Sequence, residues 1–566
     1  MKLTGGQIVC ESLIREGVAV IFGLPGGANL PLYQTLPQYP QIRHILVRHE
    51  QGAGHAADGY ARVTGKVGVA WATSGPGATN LVTPITTAQM DSVPMVCITG
   101  QVARSSIGTD AFQEADISGI TLPITKHNYL VMHASRIAET IKEAFYIAST
   151  GRPGPVLIDI PKDVFNEEAE FQYPDEVDLP GYKPVLDGHP SQIKRAARLI
   201  KEAERPLILA GHGVILSKAY EELKELAEKA QIPVITTLLG ISSFPENHVL
   251  SLGMPGMHGM AYTSLAIDDA DLIVGLGLRF DDRVTGKIST FAPKAKVIHV
   301  DMDPSAIGKN VKVTVPIVGD VKRVLRQLNQ AVEPAVHLGW LEQIEEIKRA
   351  HPSNRIRETD SLIPQFVIKQ LAEVTEGKAI VVTGVGQHQM WTAQHYGFIE
   401  PNSFISSGGL GAMGYEVPAA MGAKVGRPDK TVWSVAGDGG FQMTMSELAT
   451  MVENDIQVKF AIMNNRFLGM VRQWQEFFYK KSYVATHYTH NPDFVKLAEA
   501  FGMLGVRVTD KTQVMPAIQQ AMEYNGPALL DFMVEEEENL YPMIPPGTST
   551  AQLIEEPVEE KAKWHR

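Results

Sequence analysis

The chain has 566 residues, of which 44% are hydrophobic and 20% charged. This excludes a disordered or collagen-like chain and, at roughly 150 residues per domain, implies three to four domains. The formal charge of -12 argues against non-specific nucleic-acid binding, and two cysteines, Cys10 and Cys97, exclude a disulfide framework or a multi-cysteine zinc site.

No apolar run reaches the eighteen or so residues a membrane span needs. The N-terminus, Met1-Lys2-Leu3-Thr4-Gly5-Gly6, opens on a helical pattern with no signal or transit peptide. The expectation is a cytoplasmic, bacterial-type chain with no membrane and no nucleic-acid partner; a processed plastid chain would look similar. Fifty glycines and 35 prolines without a collagen period imply many tight turns between strands and helices.

In chain order, three blocks alternate strands and helices. In the first, the apolar runs 19–24, 45–47, 67–72, 95–99 and 156–160 read as buried parallel strands. The spacing predicts a helix over 136–150, with Ser135 as its cap and Gly151 past its end. Residues 171–192 read as a linker. The second block has strands at 207–210, 234–237, 272–278, 297–300 and 317–318, with helices near 194–204 and 219–230. A polar connection over 336–360 contains a charged helix near 340–349. The third block has strands near 379–382, 404–406, 432–435, 460–463, 506–508 and 529–532, and a tail runs over 535–566. The predicted division is 1–170, 193–335 and 361–534, each a doubly wound α/β domain. The first and third blocks close alike, on Gly154-Pro155-Val156-Leu157-Ile158-Asp159-Ile160 and Gly526-Pro527-Ala528-Leu529-Leu530-Asp531-Phe532, which suggests two related domains.

The strongest chemical signal is Gly437-Asp438-Gly439-Gly440, directly after a strand. It puts a carboxylate at the carboxyl edge of a parallel sheet, where open α/β folds bind ligands, and lets backbone approach a diphosphate. A helix is expected near Thr444, with Thr444-Met445-Ser446-Glu447 as a capping box. The next strand ends in Asn464-Asn465. A carboxylate and an amide oxygen from neighbouring strand ends suit Mg²⁺, which takes few protein ligands besides phosphate and water. Other features are weak alone. Glu50 reads more often as a helix-start charge, Met413 as core and Lys162 as a solvated cation, and Gly211-His212-Gly213 reads equally as a plain turn.

The Gly437–Asn465 pattern resembles the thiamine-diphosphate motif, and the chain is similar along nearly its full length to the catalytic large subunits of the acetohydroxyacid synthase (acetolactate synthase) family. Matching stretches are Phe22-Gly23-Leu24-Pro25-Gly26-Gly27-Ala28, Arg48-His49-Glu50-Gln51-Gly52-Ala53, Thr73-Ser74-Gly75-Pro76-Gly77-Ala78-Thr79-Asn80, Gly108-Thr109-Asp110-Ala111-Phe112-Gln113-Glu114, Arg279-Phe280-Asp281-Asp282-Arg283-Val284-Thr285-Gly286 and Gly469-Met470-Val471-Arg472-Gln473-Trp474.

The resemblance implies the following roles. Glu50 hydrogen-bonds the thiamine pyrimidine ring and sets a proton relay to the reacting carbon. Gly27 offers an N–H to an oxyanion. Thiamine diphosphate lies among Pro25, Glu50, Gly386, Gln387, His388, Gly411, Met413, Gly437, Asp438, Gly439, Asn465, Gly469 and Met470. Mg²⁺ is held by Asp438, Asn465 and the Phe467 carbonyl. Phe112, Gln113, Lys162, Met470, Val471 and Trp474 line the substrate pocket. FAD is surrounded by Arg152, Gly211, Gly213, Thr237, Leu238, Met257, His258, Gly277, Arg279, Asp281, Arg283, Val284, Asp301 and Asp320. The implied reaction decarboxylates pyruvate and joins its two-carbon unit to a second pyruvate, giving 2-acetolactate, or to 2-ketobutyrate, giving 2-aceto-2-hydroxybutyrate, at the start of branched-chain amino-acid synthesis. The implied assembly is a homodimer or dimer of dimers with sites at the subunit interface and a separate regulatory small subunit. A thiamine-diphosphate/FAD pyruvate oxidase and a non-catalytic nucleotide-binding scaffold are the alternatives.

Overall fold

The computed structural model describes residues 1–557; residues 558–566 of the predicted tail lie outside the described residues. A short strand, β1 (Lys2–Thr4), precedes the first sheet. That sheet holds β2 (Val20–Gly23), β3 (Arg43–Leu46), β4 (Gly68–Ala72), β5 (Met95–Gln101), β6 (His127–Leu130) and β7 (Pro155–Pro161), in the order β3-β2-β4-β5-β7-β6. The strand β8 (Glu168–Glu170) then returns antiparallel to β1. The second sheet holds β9 (Pro206–Ala210), β10 (Val234–Thr236), β11 (Leu272–Leu276), β12 (Lys296–Asp301) and β13 (Val315–Val318), in the order β10-β9-β11-β12-β13. The third holds β14 (Ile380–Thr383), β15 (Phe404–Ser406), β16 (Val432–Gly437), β17 (Val458–Asn464), β18 (Leu504–Val508) and β19 (Ala528–Met533), in the order β15-β14-β16-β17-β19-β18.

Every pairing within these three sheets is parallel, so the three doubly wound α/β units expected from the alternating pattern are present. Helices cover both sheet faces, which is why β4, β5 and β7 are buried along their whole length and read as unbroken apolar runs. The first and third sheets share one strand order. Their similar closing strands, β7 and β19, come last in the chain yet insert one place in from the edge, beside β5 and β17.

The two sheets meet through the helices Glu50–Thr64 and Glu416–Gly426. A Cβ on Gly59 would stand 2.1 Å from the Ala419 carbonyl oxygen, and one on Gly422 would stand 1.9 Å from that of Ala56. Small residues at both contacts therefore let the two backbones touch, and the matched pairs, 56 with 422 and 59 with 419, make the helices antiparallel.

Two local expectations are overturned. Ser135 does not cap a helix: it lies in the 3₁₀ turn Ala134–Arg136, and the helix Ile137–Ser149 starts without a side-chain cap. Thr444-Met445-Ser446-Glu447 is not a capping box. The Thr444 hydroxyl donates to the Gly414 carbonyl at 2.8 Å, and the Glu447 carboxylate accepts the Thr450 hydroxyl of its own helix at 2.7 Å and the Arg48 and His49 N–H groups of the first domain at 3.0 and 3.1 Å. Tertiary partners outcompete the local pairing. The strand β6 escaped sequence reading because His-Asn-Tyr-Leu, a half-exposed edge strand, carries no apolar run.

Candidate active site

The third sheet presents its chemistry at the carboxyl ends of β14, β16 and β17. After β16, Asp438 opens the short helix Asp438–Gln442 and is 1% exposed. Its Oδ2 accepts the Asn491 side-chain N–H at 2.7 Å. Burial pushes its pKa up to about 6 against that hydrogen bond. After β17 the two asparagines diverge. Asn464 turns back into the sheet and donates to Asp531 at 2.9 Å, whereas the Asn465 Oδ1 accepts the Phe467 N–H at 3.1 Å. Arg466 between them adopts a left-handed φ of 55° and ion-pairs with Glu536.

After β14 comes Gly386, then the helix Gln387–His395. His388 lies against Gly437, where a Cβ would come within 3.0 Å of its ring. Burial lowers its pKa to about 4, so the ring is neutral. Its Nε2 and the Oε1 of Gln387 have no partner among the described residues. A Cβ on Gly469 would stand 2.1 Å from that Gln387 oxygen and 2.8 Å from the Asn465 amide nitrogen. Gln387, Asn465 and Gly469 thus converge on one point, where three helices begin. Orphaned polar atoms, helix N-termini and glycine-lined walls fit a diphosphate. Among the described residues no group of three or more His, Cys, Asp or Glu could hold a metal. One carboxylate with an amide oxygen and a carbonyl still fits a hard cation that takes its remaining ligands from phosphate and water.

Gly411 has a φ of 73° and its α-carbon faces open space, with only a Val385 methyl within 4 Å of an added Cβ. Met413 is half-buried nearby in sequence. The helix Gly469–Phe478 turns Met470, Val471 and Trp474 onto one face that lines an open pocket.

In the first domain Glu50 is the first residue of its helix, 6% exposed, and accepts the Asn80 side-chain N–H at 2.9 Å. A Cβ on Gly77 would stand 3.1 Å from its Oε1. The Gln113 loop rests on Gly75, where a Cβ would meet the Gln113 carbonyl oxygen at 2.8 Å. Glu114 ties that loop by accepting the Ala111 N–H at 3.0 Å, and the Gly108 N–H as well. Pro25, Gly27, Phe112 and Lys162 are exposed, Phe112 to 88%.

One chain does not bring Glu50 to Asp438. The antiparallel pair puts Glu50 at the end opposite Glu416, which itself touches the Gly437–Gly440 turn; about twelve residues of helical rise separate the ends, roughly 18 Å.

A cavity of about 920 Å³ opens at the carboxyl ends of the second sheet and runs on to Gly408–Gly411, Met470 and Trp474. Among the residues expected around flavin, Gly211 alone is absent from its lining. Gly211, Gly213 and Gly277 have a prior reason to be glycine: a Cβ on Gly211 would stand 2.4 Å from the Gly277 carbonyl oxygen, and one on Gly213 would stand 2.6 Å from the Gly277 α-carbon. Asp281 and Asp320 cap short and long helices, accepting the N–H of Arg283 at 3.1 Å and of Arg323 at 3.0 Å. Burial pushes the Asp301 carboxyl up to about 6. His258 keeps an unpartnered buried Nδ1, and burial lowers its pKa to about 3. Volume, arginines and an orphaned ring nitrogen fit a dinucleotide at the strand ends.

Sequence reading missed Asn80, Asn491, Glu447 and Asp91. Asn80 stood inside a matching stretch thirty residues from Glu50. Asn491, before a proline, carried no local signal. Among the described residues no helix is long and apolar enough to cross a membrane.

The sequence matches the thiamine pyrophosphate enzyme family three times: the N-terminal TPP binding domain over 3–120, the central domain over 193–328 and the C-terminal TPP binding domain over 384–532. It is 52% identical over 564 residues to an acetolactate synthase of Mycobacterium bovis, covering 98% of this chain and 91% of the relative. It is 50% identical over 563 residues to the acetolactate synthase large subunit of Corynebacterium glutamicum, covering 98% and 90%. A probable acetolactate synthase large subunit of Methanocaldococcus jannaschii is 49% identical over 565 residues, covering 98% and 95%. The chain therefore belongs to the thiamine pyrophosphate enzymes and, within them, to the acetolactate synthase large-subunit family.

Proposed function

We propose that this chain is the catalytic subunit of an acetolactate synthase. It uses thiamine diphosphate, Mg²⁺ and FAD to decarboxylate pyruvate and transfer the two-carbon unit to a second pyruvate or to 2-ketobutyrate. The observation that carries this reading is the pairing of a buried Glu50 in one cradle with the Asp438–Asn465 strand ends in another, in a chain half identical to such subunits over nearly its whole length.

Bound thiamine diphosphate supplies an acidic carbon and an electron sink. The residues supply the rest. Glu50, held by Asn80, shares a proton with the pyrimidine ring and so makes its amino group the base for that carbon. Asp438, Asn465 and the Phe467 carbonyl hold Mg²⁺. Gly386, Gln387, His388, Gly437, Gly439 and Gly469 receive the diphosphate; Pro25, Gly411, Met413 and Met470 flank the rings. Gly27 donates its N–H to a developing oxyanion. Phe112, Gln113 and Lys162 guide the keto acid, and Val471 and Trp474 bound the pocket for the second one. The residues from Arg152 to Asp320 named above hold FAD, which takes no part in the electron balance of this reaction. The domains run over 1–170, 193–335 and 361–534. The roughly 18 Å between the half-sites of one chain, and the exposed Phe112 and Gly27, support a second copy completing each site. A regulatory small subunit and a cytoplasmic setting complete the reading; the latter accords with buried thiols at Cys10 and Cys97.

The test is incubation with pyruvate, thiamine diphosphate, Mg²⁺ and FAD, assaying acetolactate in wild type and Glu50→Gln. Acetolactate from wild type and at least about a 100-fold loss in the variant are expected. No acetolactate under any subunit composition overturns the function, and oxygen uptake with flavin reduction by pyruvate replaces it with a pyruvate oxidase.

A further inference from the structure

One residue, Asp91, joins all three domains. Asp91 ends the helix Val82–Asp91 of the first domain, and its side chain is fully buried. Its Oδ1 accepts the Gly409 N–H at 2.6 Å and its Oδ2 the Gly408 N–H at 3.0 Å, both from the third domain. Its Oδ2 also receives the Arg62 guanidinium at 2.8 Å, and its backbone carbonyl lies 2.7 Å from Nδ1 of His212 in the central domain. Arg62 pairs in addition with Asp58 at 2.7 Å, and Asp58 accepts the Tyr415 hydroxyl at 2.5 Å.

Arg62 faces two buried side chains, those of Asp58 and Asp91. The Gly408 and Gly409 N–H groups complete the hydrogen bonds to Asp91, so a shift of this backbone leaves a buried polar group short of partners.

The same backbone is where two sites meet. Gly408 and Gly409 lead into Gly411 and Met413, and Met90, Asp91 and Ser92 form part of the wall of the large cavity. Arg279, also in that wall, has a guanidinium nitrogen 3.2 Å from where a Gly409 Cβ would stand.

We propose that Asp91 is a positioning residue that fixes the Gly408–Gly409 backbone between the two cofactor sites, so that filling the central cavity also sets the 411–413 segment for the thiamine ring. The proposal rests on the assignment of flavin to the cavity and thiamine diphosphate to that segment. It gives the flavin a task in a reaction that moves no net electrons: it is one wall of the thiamine site. Coupling of this kind is reciprocal, so each cofactor tightens the other.

The experiment titrates the full-length chain with thiamine diphosphate and Mg²⁺, with and without saturating FAD, reading intrinsic tryptophan fluorescence. Hydrogen exchange of peptides over 404–415 is followed in parallel. In wild type, FAD is expected to lower the thiamine diphosphate dissociation constant about tenfold and to protect 404–415. In Asp91→Asn one acceptor oxygen becomes an N–H donor facing the amides; the tenfold ratio is expected to fall toward one and the protection to vanish, while exchange over 416–426 stays unchanged. A general loss of stability would shift both constants together and leave their ratio intact, which overturns the proposal. Should Asp91→Asn not fold, wild type still decides: binding of both cofactors with unaltered constants and unaltered exchange overturns the proposal alone. Failure of wild type to bind either cofactor overturns the underlying reading and this proposal with it.

Discussion

The first and third domains are two versions of one arrangement, and their difference is instructive. Both sheets follow the same strand order, and in both a glutamate opens the helix after the second strand. In both, that glutamate faces the glycine turn after the third strand, Gly77 for Glu50 and Gly440 for Glu416. The connections differ. Residues 47–49 lead directly to Glu50, whereas 407–415 arch over before Glu416 and carry Gly411 and Met413. The arch and the turn seal Glu416. It is fully buried, neither of its oxygens has a side-chain partner, and burial pushes its pKa up to about 7. Glu50 keeps an amide partner and a remnant of exposure. The same topological position thus yields an amide-partnered, slightly exposed carboxylate in one domain and a sealed acid in the other, and the length of one loop decides which.

The sharpest way to break this comparison is to disable each half-site in a different chain. Glu50→Gln and Asp438→Ala should each lower activity at least about 100-fold. Mixed and reassembled, they should recover about a quarter of wild-type activity, because half the dimers are mixed and each holds one intact site. Recovery no higher than either parent would place both half-sites in one chain.

The contact between the two domains comes next. Gly422→Ala drives a methyl into the Ala56 carbonyl, and melting or denaturant curves should show a loss of about 3 kcal/mol. An unchanged midpoint would show that the helices separate freely.

Glu416 itself is tested through pH. In the folded chain its carboxyl keeps its proton up to about pH 7, whereas the ordinary glutamate value is 4.5. The folded state therefore binds more protons between these values. The stability this group contributes is complete below pH 4.5 and is lost as pH rises through 7, on the order of 3 kcal/mol in all. Glu416→Gln should flatten that part of the stability–pH curve; a parallel, shifted curve would show that Glu416 is ionised when folded.

The smallest effect belongs to Glu447, which caps the entry to the Glu50 helix from the opposite domain. Glu447→Ala should cost about 1 kcal/mol and raise the thiamine diphosphate concentration needed for half-maximal activity. An unaltered cofactor requirement would show that Glu50 is held without it.

Much of this was legible in the chain. Buried parallel strands are apolar on both faces, so they appear as short apolar runs, and the runs at 95–99, 156–160 and 460–463 fall within β5, β7 and β17. The Gly437–Gly440 turn and the Asn464-Asn465 pair were visible because close backbone approach demands glycine next to polar ligands in a short stretch. Ser135 and the Thr444–Glu447 box misled because their side chains choose partners by three-dimensional proximity, which a four-residue window does not contain.

The sequence by itself determined the three parallel sheets, the location of the strand-end turns and the family, since all are written in local periodicity and in side chains close along the chain. Only the tertiary structure decided that Glu50 rests on Asn80 and Asp438 on Asn491, that Asp91 binds three domains, and that Glu50 and Asp438 lie at opposite ends of an antiparallel helix pair. Those relations depend on how helices cross and which loops cover which turns. A buried charge or amide takes its partner from whatever the packing brings near, however far away it lies in the chain.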